Sequence, residues 1–145
     1  MIDKHAMRNN EVFAATVCII GGAFDGLMML PMLLPSLGGK LFGLREFSPG
    51  PDYRYAINVA ASLMLGWTLL LFWAAWRPIE RAAVLMLTAI VVACLMLAGS
   101  RAVLSGFIPL RKMLPVFALQ VGLVALFLTG YVQVRRRIGP ARAGA

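Results

Sequence analysis

The chain has 145 residues, of which 61% are hydrophobic and 14% charged, and its mean hydropathy is +0.82. These fractions exclude an ordinary soluble globular domain and predict an integral membrane protein. The net charge of +8 arises mostly at the ends of apolar runs, which favours anionic lipid head groups over nucleic acid as the partner.

Four apolar runs reach the length of about 20 residues that a helix needs to cross a hydrocarbon core of about 30 Å. The second and third runs are joined by residues 77–81 alone, which predicts that their helices are antiparallel neighbours. We therefore expect a single domain, 1–145, that is all-α and folds as an antiparallel four-helix bundle in the membrane. Its spans are predicted at about 12–34, 55–76, 82–105 and 113–134.

The first span contains a carboxylate. The polar segment 1–11 precedes a run that is too long for a signal peptide and lacks its cleavage pattern, so we expect this span to be retained. Asp25 lies inside the run, where a charge costs roughly 3 kcal/mol or more. At about 100° per residue, Asp25 shares a face with Gly21 and Gly22, so we expect this face to contact other helices.

Small residues spaced four apart predict where helices approach each other closely. Gln120 lies roughly 200° from Ala118 around the fourth helix. Either Gln120 faces a second subunit, or the face of Ala118 is not the one by which the fourth helix packs in the bundle. The expected packing positions are Gly22 and Gly26 in the first span, Ala89 and Ala93 in the third, and Ala118 and Gly122 in the fourth.

The connector 35–54 is the longest and mixes apolar with charged residues. This pattern suits a short helix at the level of the head groups, a solvated loop or, alternatively, a functional lid.

The distribution of basic residues predicts the orientation. Eight basic residues lie on the side of the two termini and six on the other side, which places both termini in the cytoplasm of a bacterium, at its inner membrane. The tail 135–145 is expected to be disordered. Anionic head groups are expected to bind its first residues, Arg135, Arg136 and Arg137.

Five polar residues in the spans fall at similar estimated depths, in the outer half of the bundle. We predict that they form a ligand or proton site, in which Asp25 has three interpretations. It makes a structural pair or hydrogen bonds with its neighbours, it binds a proton or a cation, or it lies close to water. Arg101 has the alternative role of a head-group anchor. The five candidates are Asp25, Asn58, Ser62, Arg101 and Gln120.

The sequence offers little for catalysis, a metal or a cofactor. The only histidine, His5, lies outside the spans and excludes haem held by two histidines in the bundle. Cys18 and Cys94 lie in different runs and form no dithiol or zinc motif. We find no serine, histidine and aspartate set and no phosphate-binding glycine loop, so we expect no enzyme and no cofactor.

Two segments resemble known groups. The sequence Gly21-Gly22-Ala23-Phe24-Asp25 in a short four-span chain resembles the small multidrug resistance transporters, which use a glutamate in their first helix. This resemblance implies that Asp25 binds a proton or a cation. The segment 65–81 resembles uncharacterised small bacterial four-span inner-membrane proteins.

Three functions remain open at this stage. The first is a non-enzymatic protein that binds a small amphiphile or a membrane partner through the polar residues of the outer half. The second is an oligomeric, proton-coupled transporter of small molecules that uses Asp25. The third is an accessory subunit that docks on a larger membrane complex through Gln120 and the surface of Gly22 and Gly26.

Overall fold

The structure is a computed structural model that describes the backbone of residues 4–34, 37 and 50–142 and the side chains of 10–34, 37 and 50–136. Within these residues the chain forms four α-helices and no strand, and each helix is long and apolar enough to cross a membrane. The prediction of an all-α protein with four spans is therefore confirmed. The helices are α1 (Lys4–Leu33), α2 (Pro51–Trp76), α3 (Ala82–Leu104) and α4 (Leu110–Arg142).

The helix ends follow from local chemistry. α2 starts with Pro51, whose missing N–H is one that the first turn of a helix leaves unpaired, and Asp52 favours the positive end of the helix dipole. After α3, Gly106 adopts a φ of 73°, which lets the chain turn towards α4. α4 continues to Arg142, so the tail predicted as disordered is helical where it is described. Most of the connector 35–54, which is predicted to form a short helix at the level of the head groups, lies outside the described residues, namely 35, 36 and 38–49.

Successive contacts show that α1 and α2 run antiparallel. A Cβ placed on Gly22 would lie 3.1 Å from the ring of Phe72, and one on Gly26 would lie 3.4 Å from the methyl group of Thr68. The same holds for α3 and α4, because Gly99 faces Met113 while Gly130 faces Leu85. α1 also packs against α4, whereas α2 and α3 have the smallest contact among neighbouring helices. The bundle thus consists of two hairpins, α1–α2 and α3–α4.

The apolar core lies at one end of the bundle. We call this the Trp76 end, where α2 ends and α3 begins, and the other the Pro51 end. The buried side chains that pack together all lie in the half nearer the Trp76 end. Ala61, Val92, Ile108 and Met113 are buried outside this cluster, between the middle of the bundle and the Pro51 end. The hairpins are therefore joined mainly at the Trp76 end. The core residues are Ala14, Val17, Cys18, Leu71, Ala74, Ala82, Val84, Leu85, Ala89, Phe127 and Val134.

Arginine and aromatic side chains surround the Trp76 end. The guanidinium of Arg81 lies 3.5 Å from the centre of the Trp73 ring and also donates to the Trp73 carbonyl. Arg135 lies over the ring of Tyr131 at 5.6 Å. Cations stacked on aromatic rings are typical of the level at which a membrane meets water.

Candidate functional site

Asp25 contacts α2 through a hydrogen bond. The hydroxyl of Thr68 donates to Oδ2 of Asp25 at 3.0 Å, and Thr68 is only 6% exposed whereas Asp25 is partly buried. A Cβ on Gly26, the next residue, would lie 3.4 Å from the methyl group of Thr68, at about van der Waals distance, so α1 and α2 pack directly on each other here. No described basic residue forms an ion pair with Asp25. Among the described residues, the hydrogen bond from Thr68 is therefore the contact that stabilises the Asp25 carboxylate.

A second polar contact lies beside the first. Nε1 of Trp67 donates to the hydroxyl oxygen of Thr88 at 3.3 Å, and Thr88 donates to the carbonyl of Val84 at 2.7 Å. Together, Asp25, Thr68, Trp67 and Thr88 form what we call the polar layer, which links α1 to α2 and α2 to α3. The layer marks the edge of the apolar core, since Thr68 lies three residues from Leu71 towards the Pro51 end.

Gln120 faces the interior from α4. It is partly buried and lies seven residues from Phe127 and from Met113, so the three share one face of the helix. That face points towards α1 and α3, because Phe127 packs on Gly21 of α1 and Met113 packs on Gly99 of α3. Oε1 of Gln120 is buried and has no hydrogen-bond partner among the described residues.

The depths of Gln120 and Asp25 can be compared through the contact of Phe127 with Gly21. Gln120 lies about 10 Å from Phe127 towards the Pro51 end, and Asp25 lies about 6 Å from Gly21 in the same direction. The two residues thus differ by about 5 Å along the helix axes, less than one turn. This agrees with their similar estimated depth.

Asn58 and Ser62 lie apart from Asp25. Both are exposed, and the Ser62 hydroxyl donates to the Asn58 carbonyl at 2.9 Å, within α2. Because Asp25 bonds to Thr68, its level on α2 is about 15 Å from Asn58 and about 9 Å from Ser62. The prediction that Asn58 and Ser62 lie at the same depth as Asp25 is therefore wrong. The estimate assumed that all spans start in one plane, whereas the packing of α1 on α2 sets the actual register.

Arg101 also lies away from the polar layer. It is exposed in the last turn of α3, about 20 Å along this helix from Thr88. A pair between Arg101 and Asp25 is not formed. Of the five predicted site residues, the structure brings only Asp25 and Gln120 to a similar depth in the interior.

The predicted packing positions divide into two groups. Gly22 and Gly26 face α2 closely, and Ala89 is 4% exposed. In contrast, Ala93, Ala118 and Gly122 lie on exposed faces, and a Cβ on Gly122 would meet no atom within 4 Å.

The prediction that Ala118 and Gly122 form the packing face of α4 is therefore wrong. Its inward face is formed by Met113, Gln120, Phe127 and Val134 rather than by Ala118 and Gly122. Gln120 accordingly faces the other helices of its own chain. Small residues allow close packing but do not require it, and lipid accepts them equally well.

The sequence pattern did not single out Thr68, Thr88 or Trp67. The signal for the threonines is weak, since Thr16, Thr88 and Thr129 all donate to the carbonyl four residues earlier. Such local bonds satisfy a hydroxyl in an apolar helix without any partner. Thr68 differs because its hydroxyl donates to another helix, and only the packing reveals this.

A cleft of about 350 Å³ lies at the Trp76 end, lined by Glu11, Trp76, Arg77, Pro78, Ile79 and Glu80. Two of its three charged residues, Arg77 and Glu80, pair with each other at 3.3 Å, and both side chains are 63% exposed. Water screens such pairs strongly. The cleft lies about 12 Å along α2 from Thr68 and is separate from the polar layer.

The polar layer and Gln120 offer mainly hydrogen-bond acceptors. They comprise a carboxylate that accepts one bond from Thr68 and an amide oxygen without a partner among the described residues. Such a set is complementary to a cation or to a group with several N–H or O–H donors.

Comparison of the chain with protein-family models, with curated proteins and with solved structures found no match. The four long apolar helices support an integral, multi-pass membrane protein.

Proposed function

We propose that this protein is a non-enzymatic membrane protein that binds a small amphiphile with a cationic head group at Asp25. The observation that carries the proposal is the Asp25 carboxylate, which lies between helices, accepts a bond from Thr68 and has no ion-pair partner among the described residues. A carboxylate in an apolar environment is costly unless a positive charge or several donors compensate it. A bound ammonium group supplies both.

The position of the apolar core at the Trp76 end supports an amphiphile as the ligand. Asp25 lies just beyond the core, on the side where the two hairpins share fewer buried contacts. A head group can reach Asp25 from the Pro51 end while its apolar chain stays among apolar side chains and lipid. Burial of an alkyl chain contributes about 0.8 kcal/mol per CH₂ group. The tail therefore increases the affinity and also brings the head group into the membrane at the depth of Asp25.

The same proposal includes an orientation in the bacterial inner membrane. Eight basic residues belong to the side of the two termini against six on the other side, and such an excess is typical of the cytoplasmic side. Among the eight, Arg77, Arg81, Arg135 and Arg136 lie at the Trp76 end. Anionic head groups contact these arginines, and the Pro51 end faces outward. Both termini are then cytoplasmic.

Equilibrium binding tests the proposal. Purified protein in nanodiscs of neutral phosphatidylcholine is titrated with dodecylamine, which is cationic at pH 7, and with uncharged dodecanol. Trp67 reports binding by fluorescence in a background with Trp73→Phe and Trp76→Phe, and empty nanodiscs correct for partition into lipid. We expect dodecylamine to bind at least tenfold more tightly than dodecanol, because a charge-assisted bond forms at Asp25.

The matched variants are Asp25→Asn and Asp52→Asn, the second at an exposed position in the first turn of α2. Asp25→Asn is expected to abolish the preference for dodecylamine, whereas Asp52→Asn keeps it. Equal binding of the amine and the alcohol, or an unchanged preference in Asp25→Asn, contradicts the proposal.

A second candidate is proton-coupled transport by the same carboxylate. The one-ended core favours it, since hairpins joined at the Trp76 end can change their separation at the Pro51 end. Proteoliposomes with a pH gradient then accumulate a radiolabelled water-soluble amine only when Asp25 is intact. Binding without gradient-dependent accumulation contradicts transport and leaves the binding function.

A further inference from the structure

Gln120 carries an acceptor that nothing in the described chain uses. Its Oε1 is buried and has no hydrogen-bond partner among the described residues. A buried acceptor without a partner is costly, and such atoms are rare in folded proteins. It lies on the inward face of α4, shared with Phe127 and Met113, so a bound molecule between the helices can reach it.

The position of Gln120 relative to Asp25 restricts what can bind both. The two residues differ by about 5 Å along the axes of antiparallel helices. The two side chains also extend from different helices, whose axes lie roughly 8–10 Å apart in packed bundles. The two acceptors are thus further apart than this offset. One ammonium nitrogen, at about 2.9 Å from each acceptor, spans at most about 6 Å.

We infer that the ligand carries two separate donors, an ammonium group that binds Asp25 and a neighbouring hydroxyl that donates to Oε1 of Gln120. The substrate class is therefore an amphiphile with an amino-alcohol head group. The hydroxyl lies nearer the Pro51 end than the ammonium group. This inference rests on the proposed function of Asp25, and it adds Gln120 as the residue that distinguishes amino alcohols from simple amines.

Two probes of equal chain length test the inference in the nanodisc assay. Dodecylamine has only the ammonium group on its terminal carbon, whereas 1-aminododecan-2-ol keeps that group and adds a hydroxyl on the neighbouring carbon. We expect the native protein to bind the amino alcohol about tenfold more tightly, because one hydrogen bond to a buried acceptor is gained. This comparison needs no variant and does not depend on whether a variant folds.

Gln120→Met keeps the length of the side chain and removes the acceptor. It is expected to abolish the tenfold preference for the amino alcohol while the affinity for dodecylamine stays within about twofold. The matched control Gln133→Met makes the same change about 20 Å away on α4, and it is expected to keep the preference.

The outcomes separate this inference from the proposed function. If the native protein binds both probes equally, or if Gln120→Met keeps the preference, the role of Gln120 is overturned while binding that depends on Asp25 remains. If dodecylamine binding does not depend on Asp25, the proposed function fails and the inference fails with it.

Discussion

The hydroxyl of Thr68 on α2 lies 3.0 Å from Oδ2 of Asp25 on α1 and donates a hydrogen bond to it. This bond holds a carboxylate between two apolar helices, at the edge of the core. Among the described residues, no cation competes with Thr68 for Asp25. Stability measurements on single variants can test the packing around it.

Replacing Thr68 with valine tests the bond directly. Thr68→Val keeps the shape of the side chain and removes the donor, so we expect a loss of about 1 kcal/mol in the free energy of unfolding. Thr129→Val is the control, since the Thr129 hydroxyl donates only to the carbonyl of Ala125 in its own helix. Unfolding in mixed micelles, followed by circular dichroism, measures both. Equal losses in the two variants would show that the bond to Asp25 adds nothing.

A methyl group at Gly21 tests the contact between α1 and α4. The Cβ of Gly21→Ala would collide with the ring of Phe127, which is 1% exposed, so the ring or the helix must shift within the core. We expect destabilisation by about 1–3 kcal/mol. Gly66→Ala is the control, because a Cβ there meets no atom within 4 Å. It should be neutral or slightly stabilising, since alanine favours the helix.

The Gly21 result has a further check. Phe127→Leu shortens the opposing side chain and should recover part of the stability lost in Gly21→Ala. Strictly additive effects of the two substitutions would argue against their contact.

Truncation of leucines tests the one-ended core. Leu71 is 1% exposed and lies in the core, whereas Leu63, on the same helix, is 71% exposed. Leu71→Ala is expected to destabilise the protein by about 2–4 kcal/mol, because it opens a cavity. Leu63→Ala should cost less than about 0.5 kcal/mol, since lipid or detergent fills the space. Thermal unfolding measures the pair, and similar losses would mean that the core extends to the Pro51 end.

Two arginines near the turn between α2 and α3 should differ in their contribution to the free energy of unfolding. Arg81 stacks on Trp73 and donates to its carbonyl, so we expect Arg81→Ala to cost about 1–2 kcal/mol. Arg77 pairs with Glu80, but both side chains are 63% exposed, and Arg77→Ala should cost less than about 0.5 kcal/mol. Chemical unfolding at low and high salt compares them. A larger effect of Arg77→Ala would reverse this ranking.

The candidate site was only partly predictable. Asp25 is conspicuous in the sequence because a carboxylate in an apolar run needs an explanation. Its partner Thr68 is not, since threonine in an apolar helix usually bonds to its own backbone, as Thr16 does. The depth of Asn58 was misjudged because counting from the span ends ignores the register between helices.

The face of α4 shows the same limit. Ala118 and Gly122 suggested an interface by their small size, yet Gln120 and Phe127 face inward. In water, the hydrophobic effect would distinguish the buried face of a helix from the exposed one. In lipid both faces are apolar, and detailed packing decides which one is buried.

The sequence by itself determined the four spans, their antiparallel order and the presence of one carboxylate among them, because span length and short connectors follow from membrane thickness and chain reach. Only the tertiary structure decided that Asp25 bonds to Thr68 and that Gln120 turns inward. These features depend on how far one helix slides and rotates against another, and in lipid that choice is made by close packing and hydrogen bonds between helices.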